Sequence, residues 1–429
     1  MPDIRDIVSA NRNGQACGIY SVCSAHPMVI EAAIEQAKQD NTPLLIEATA
    51  NQVNQFGGYT GMLPADFMAF VGAIADKLDY PREQLVLGGD HLGPVCWVNE
   101  PAEQAMDKAD ALIASYVAAG FKKIHLDTSM PCVDDPSCLP DETVAIRAAR
   151  LCEIAEQTAI KAFGDADLVY IVGTEVPPPG GATEEIDELA LTPVSRVKQT
   201  YQLHQQAFEQ AGLSQAWQRV VGLVVQPGVE FDHTSLIDYQ SDKAQALKAC
   251  VQELPQVVYE AHSTDYQNDQ AYIDLVKDHF AILKVGPQLT FALREALFAL
   301  SYIEEQLIAN EQRSYLRDIC EQEMQEMPAN WQRFYPVPAS KGELYRRYSY
   351  SDRIRYYWPN ERIQAATETL LSNLAKIDIP LPLISQFLPE QYRAIRNGQL
   401  SAEPHALIKA KIKQVTNSYA NACYGQVAS

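Results

Sequence analysis

Short runs of aliphatic and β-branched residues alternate along this chain with longer stretches in which apolar positions recur every three or four residues. The first pattern predicts buried strands and the second amphipathic helices. The strand candidates are CGIYSVCS from Cys17, LLIEAT from Leu44, LVLGGDH from Leu85, KIHLDTS from Lys123, LVYIVGTE from Leu168, VVGLVVQ from Val220, VVYEAHS from Val257 and AILKVG from Ala281. Strands alternating with helices imply parallel pairing through helical crossovers. Eight of them is the number that closes such a sheet into a (β/α)8 TIM barrel. Between them, PMVIEAAIEQAKQ from Pro27 and PADFMAFVGAIADKL from Pro64 each open on proline, which suits the first helical turn. A further helix is expected to begin near Leu289, after the eighth strand.

From about Asn310 the pattern becomes helical and rich in aromatic residues, with no further strand evident and a helix expected near Thr367 to Lys376. The expected organisation is therefore a barrel over 1–309 and a helical C-terminal extension over 310–429. The extension reads as a packing appendage on the barrel rather than as part of a substrate site.

Length fits this reading, because 429 residues accommodate a barrel of about 250 together with insertions and a tail. Charge narrows the partners. A formal net charge of −21 argues against sequence-independent affinity for nucleic acid, which needs clustered Lys and Arg. A phosphorylated ligand remains compatible if positive charge is concentrated locally, so isolated basic residues at strand ends matter. The opening MPDIRDIVSANRNG lacks the apolar core of a signal peptide, and no apolar run reaches the roughly 20 residues of a membrane span. A cytoplasmic protein without membrane contact is expected. Nine Cys without a CxxC pair read as reduced thiols, with Cys17/Cys23 and Cys132/Cys138 as the pairs whose geometry would decide on a disulfide.

Polar residues fall at the strand C-terminal ends, where barrel enzymes build their sites. The third strand ends in Asp90 and His91, a pair able to hold a metal and move a proton, with neighbouring side chains expected to diverge. The seventh places Glu260 and His262 on one face, followed by Ser263 and Thr264 as potential donors to an oxyanion or phosphate. Glu47 ends the second strand and Asp127 the fourth, while Glu175 precedes a Pro/Gly loop on the fifth. Lys284 reads as the lone strand-borne cation near the opening. The plain alternative is that a histidine here is a hydrogen-bonded core residue and that Glu47 or Glu260 pairs with Lys284; convergence of two imidazoles and several carboxylates favours a site. Neither GxxxxGK[ST] nor GxGxxG occurs, and the glycine pairs at Gly57, Gly88 and Gly180 read as isolated turns, so neither ATP nor NAD is expected.

The stretches SVCSAHPMVIEAA, IEATANQVNQFGGYTGM, GGDHLGP, KIHLD, GTEVPPPGG, VVQPGVEFDH, YEAHSTDYQ, ILKVGPQLTFALREA and SDRIRYYWP closely resemble the Z-type subunit family of D-tagatose-1,6-bisphosphate aldolase, over nearly the whole chain. The resemblance implies a class II aldolase-like barrel acting beside a catalytic Y-type subunit, whose activity and stability it supports. The reaction it implies converts tagatose 1,6-bisphosphate, a phosphorylated ketohexose, to glycerone phosphate and glyceraldehyde 3-phosphate in galactitol or N-acetylgalactosamine catabolism. Class II aldolases use a metal, usually zinc on three His, to polarise the ketose carbonyl. By resemblance Asp90 matches the proton-transfer Asp, and His91 and His262 match two metal ligands; from its place at the end of the fifth strand, Glu175 reads as a second catalytic residue. Glu47, Asp127, Gln226, Ser263 and Lys284 are assigned to substrate. Gln226 stands where the third imidazole is expected, with Glu175 or His233 left to complete the set. That departure favours a supporting subunit; the alternative is an independent metal-dependent aldolase or a ketohexose-phosphate 4-epimerase, which breaks and reforms a C–C bond without releasing the fragments.

Overall fold

The computed structural model describes residues 3–174, 182, 189–335 and 339–425. Ten strands form in chain order: β1 (Ile19–Val22), β2 (Leu44–Thr49), β3 (Leu85–Leu92), β4 (Lys123–Leu126), β5 (Val169–Val172), β6 (Val220–Val224), β7 (Glu230–Phe231), β8 (Leu236–Ile237), β9 (Val258–Ala261) and β10 (Ile282–Val285). Eight are parallel and close into a barrel in the order β1-β10-β9-β6-β5-β4-β3-β2, with Ile19 of β1 opposite Ile282 of β10. Each of the eight predicted strands is one of these. The pair β7–β8 is an antiparallel hairpin in the loop after β6, too short to leave a period-2 signature in the sequence.

The barrel is stopped at one end and open at the other. Helix Ile4–Arg12 is held by a reciprocal cap between Asp3 and Asp6. It turns Ile4, Ile7 and Val8 onto Ile19, Val169, Val258 and Ile282, which begin their strands. The strand N-terminal ends are thereby plugged with apolar side chains. Chemistry is left to the C-terminal ends, as barrel architecture dictates.

The glycine pair Gly88–Gly89 lies inside β3 rather than in the expected turn. Gly88 sits between Glu47 and Lys123 in register, and a Cβ there would come within 2.9 Å of the Glu47 side chain. Glycine is the residue that lets Glu47 lie across the neighbouring strand.

The C-terminal extension shares one hydrophobic core with the barrel: Leu407, Ile408 and Ile412 join Val29, Ile30 and Leu293 in a continuous cluster. Its last helix, Pro404–Tyr424, packs on helices Pro27–Asp40 and Pro287–Leu307. The Tyr419 hydroxyl meets Thr264 Oγ1 at 3.0 Å, and the Cys423 carbonyl accepts from the Gly18 amide at 2.9 Å. A second part of the extension crosses the open end, where the Tyr350 amide donates to the His233 carbonyl and the Tyr266 hydroxyl donates to the Tyr350 carbonyl at 2.6 Å. The extension is thus more than an outer appendage. All nine cysteines are free thiols, and no helix among the described residues is long and apolar enough to cross a membrane.

Candidate active site

The barrel interior carries charge in two layers. In the lower one, Lys123 Nζ lies 2.5 Å from Glu47 Oε1 and 2.7 Å from Glu260 Oε2, all three side chains wholly buried. Lys284 reaches across from β10 to Glu47 and lies 3.0 Å from Asp90 Oδ1. Lys284 is therefore not the lone strand-borne cation; Lys123 is a second, and the pairing of Glu47 and Glu260 with cations is realised. Both ammoniums are held above their ordinary range, because the carboxylates around them outweigh the cost of burial.

The upper layer lies two residues further along each strand. His125 follows Lys123 and His262 follows Glu260 by the period of an extended strand. Asp90 and His91, expected to diverge, both line the same cavity. The β3–β4 register slips between Gly89 and Leu92, and His91 takes a left-handed φ of 49°. A bulge with one residue in that strained region re-aims a side chain, here bringing two adjacent ones inward. Ser263, with φ of 53°, makes a similar turn after His262.

Three imidazoles meet there. Ring centroids of His91, His125 and His262 are 5.1 to 5.3 Å apart. Each places one ring nitrogen on a carboxylate: His91 Nδ1 on Asp127 Oδ2 at 2.7 Å, His125 Nδ1 on Asp90 Oδ1 at 2.8 Å, and His262 Nε2 on Glu260 Oε1 at 2.9 Å. The opposite nitrogen of each ring makes no hydrogen bond among the described residues, and Nε2 of His125 is buried in that condition. A carboxylate behind each imidazole is the arrangement that fixes the tautomer of a metal-binding histidine. One ligand atom each from Asp90, His125, Glu260 and His262 lie within 4.8 Å of one another. Glu47, Asp90, Asp127 and Glu260 set four buried carboxylates against the two ammoniums of Lys123 and Lys284. A divalent cation fits both the donors and that charge deficit.

Protonation states agree with this for Asp90, Asp127 and His262, whereas His91 is held towards its cationic form. Burial alone would raise the Asp90 carboxyl, but His91, Lys284 and His125 outweigh it and hold it well below the usual carboxylate range. Asp127 is likewise held low, by His91 against its burial. Burial pushes His262 down to about 4, leaving a neutral imidazole, whereas Asp90 and Asp127 keep His91 above its ordinary value despite burial.

Other expected residues fall elsewhere. Gln226 does not line the cavity: its side-chain oxygen accepts from the amides of Gly228 and Val229 and so closes its own turn. His233 packs between the rings of Tyr335 and Tyr345, each 5.0 Å away, under the extension. Thr264 donates to the Lys284 carbonyl, which leaves Ser263 as the hydroxyl on the cavity. Asp127 serves His91 directly. Glu175 lies outside the described residues.

Sequence reasoning missed His125, Lys123 and Arg355. The first two were signalled by alternation in KIHLD, which puts Lys123, His125 and Asp127 on one buried face. Arg355 arrives from the extension, and no local pattern marks it. A cavity of about 80 Å³ is lined by Asp90, His91, His262, Lys284 and Arg355, with His125 and Lys123 beneath it rather than on its wall, and a second of about 490 Å³ adjoins it, both bordered by Cys23, Gln52, Tyr59, Gly286 and Arg355.

Beside the site, Glu230 on β7 is buried enough to be pushed up to about 7, partly offset by the Phe231 amide and Ser263. Its folded value exceeds its ordinary 4.5, so the stability it contributes is present below that value and is lost as pH rises through 7. The loss amounts to at most about 3 kcal/mol. Urea midpoints measured between pH 4.5 and 8 are expected to fall less in Glu230→Gln than in the parent; an identical slope would remove Glu230 as the cause.

Fold and site together define a (β/α)8 barrel protein with a buried histidine and carboxylate centre at the strand C-terminal ends. The chain belongs to the family described as D-tagatose-1,6-bisphosphate aldolase subunit GatZ/KbaZ-like, which matches residues 4–424. It is similar to the crystal structure of a probable tagatose 6 phosphate kinase from Sinorhizobium meliloti 1021, with 49% identity and a TM-score of 0.88, over 95% of this chain and 100% of that one. Fructose-bisphosphate aldolase from Campylobacter jejuni is more distant, with 14% identity and a TM-score of 0.47, over 86% of this chain and 90% of that one.

Proposed function

We propose that this chain serves tagatose-phosphate metabolism with a metal-dependent site of its own, which opens and closes the C3–C4 bond of a phosphorylated ketohexose. The carrying observation is the set of three carboxylate-backed imidazoles, His91, His125 and His262, beside an ionised Asp90. Buried ion pairs seldom improve on apolar residues of equal volume, so a charged interior of this kind is better understood as kept for chemistry than for stability.

His125 and His262 would hold a divalent ion together with Asp90 and Glu260, with His91 beside them able to join on losing its proton, and the ion when bound would supply polarisation of the ketose carbonyl. Asp90, held as a carboxylate, takes the proton of the C4 hydroxyl as the C3–C4 electron pair moves towards the carbonyl. Lys284 offsets the charge of Asp90 and Glu47. Return of the bond to the other face of the aldehyde gives the C4 epimer; release of the fragments gives two triose units, each carrying one phosphate when the substrate is a bisphosphate. The cytoplasm is the compartment that suits phosphorylated sugars and nine free thiols.

The family description names an aldolase subunit, which suits a second reading: a supporting role beside a Y-type aldolase subunit, in galactitol or N-acetylgalactosamine breakdown. Purified chain, free of any partner and loaded with zinc, manganese or magnesium, is expected to interconvert tagatose and fructose phosphates or yield triose phosphates, and to stop on chelation. Metal-loaded protein that is inert alone, yet raises the activity of a Y-type subunit even with both His91 and His262 changed to Ala, would leave only the supporting role.

A further inference from the structure

The segment of the extension that crosses the open end carries Arg355 to the boundary of the two cavities, where it borders both. Its surroundings are unusual in a chain of net charge −21. Arg147 faces Asp135 at 2.8 Å, Arg294 faces Asp352 at 3.5 Å, and Arg346 faces Glu321. Arg355 instead donates from Nη1 to the carbonyls of Ser351 and Asp352 and from Nη2 to the Tyr356 hydroxyl at 3.1 Å, and among the described residues it forms no ion pair. Arg353, next along the segment, donates to the Asn330 carbonyl and stacks on Phe334. The excess positive charge acts on its neighbour: burial pushes the Tyr356 phenol up, yet Arg355 and Arg353 bring it below its ordinary value.

Barrel enzymes commonly hold phosphate with loops after the seventh and eighth strands and with helix-opening amides. Here two amides that open the helix after the eighth strand are taken. Asp265 accepts from Gly286 N at 3.0 Å and from Gln288 N at 2.8 Å, at the start of helix Pro287–Leu307. Lys284 on the same wall is engaged by Glu47 and Asp90, so Arg355, a half-buried guanidinium, is the cation on that wall best placed to meet an anionic ligand.

We propose that Arg355 anchors a phosphate group of the ligand at the junction of the two cavities, so that the C-terminal extension supplies the anion-recognising residue of the barrel. The identity of that ligand as a phosphorylated ketohexose rests on the function proposed above; the anchor itself rests on a guanidinium on the cavity wall that has no ion-pair partner among the described residues. A planar guanidinium grips phosphate through paired N–H groups, which an ammonium cannot reproduce. The reacting carbons then occupy the inner cavity beside Asp90 and His262, and the remainder of the ligand extends into the outer one.

Calorimetric titration of the full-length, metal-loaded chain with tagatose 6-phosphate, unphosphorylated tagatose and inorganic phosphate tests this. In Arg355→Met, affinity for the sugar phosphate and for inorganic phosphate is expected to fall about tenfold or more, with metal content and tagatose binding unchanged. Arg355→Lys should lose part of that affinity. Equal phosphate affinity in Arg355→Met and parent overturns the anchor, as does a parent that binds neither inorganic phosphate nor sugar phosphate. A parent that binds inorganic phosphate through Arg355 but no ketohexose phosphate upholds the anchor and removes the sugar from the function proposed above. Should Arg355→Met fail to fold, Arg355→Lys decides, since undiminished phosphate affinity there overturns the forked contact.

Discussion

Replacing His125 by alanine is expected to lower the affinity of the barrel for a divalent metal by about 100-fold or more, since loss of a mere outer partner of a ligand already costs 10–100-fold. His125 stands on β4 with Nδ1 at Asp90 and with Nε2 buried and unpartnered. An imidazole that donates one ring N–H to a carboxylate presents the other nitrogen as a lone pair, which is the form a metal takes. Changing Gln226 to alanine should leave metal affinity untouched, because its side chain is engaged with Gly228 and Val229. The pair of variants separates the position that the resemblance marks from the one that the fold selects. Elemental analysis followed by competition with a chelator at fixed pH measures both, with circular dichroism to check that His125→Ala remains folded. Wild-type affinity in His125→Ala, alongside loss in His91→Ala and His262→Ala, would take His125 out of the ligand set.

The barrel was legible because its strands are buried on both faces and read as unbroken apolar runs, such as Val220–Val224. Which polar residues meet was legible only where the strand period holds. Glu260 and His262 follow it, as do Lys123, His125 and Asp127, although that trio was read only at its last member. Asp90 and His91 break it through a bulge and a left-handed residue, and neither leaves a mark in the letters GGDH. Gln226 misled for a related reason. A residue at a strand end is placed by the turn that follows, and here the turn claims the side chain. Arg355 lies more than 60 residues beyond β10, and its place at the mouth depends on tertiary contacts such as those of Tyr350 with His233 and Tyr266.

Lys123→Met should be the most damaging single change to stability in the barrel, costing about 3–5 kcal/mol at neutral pH, the range found when one partner of a buried ion pair is removed. The ammonium is wholly buried between Glu47 and Glu260. Without it, Glu47 keeps Lys284 as an ion-pair partner, while Glu260 keeps the hydrogen bond of the His262 ring and the more distant charge of Lys284. Glu260 is now held well below the usual carboxylate range, since Lys123 and Lys284 outweigh its burial. Removal of Lys123 lets burial push it up instead. A carboxyl whose folded pKa lies above the unfolded value contributes stability that is lost as pH rises through the folded value. The deficit of Lys123→Met relative to the parent is therefore expected to be larger at pH 7 than at pH 5. A second change, Glu260→Gln, should restore much of the loss by removing the unpaired charge along with its partner. Urea denaturation of parent, single and double variants at both pH values measures all of this, provided the slopes agree. If Lys123→Met matches the parent at pH 7, the lower layer is not held by charge pairing, and the deficit of positive charge that favours a divalent ion above it must be drawn afresh without Lys123.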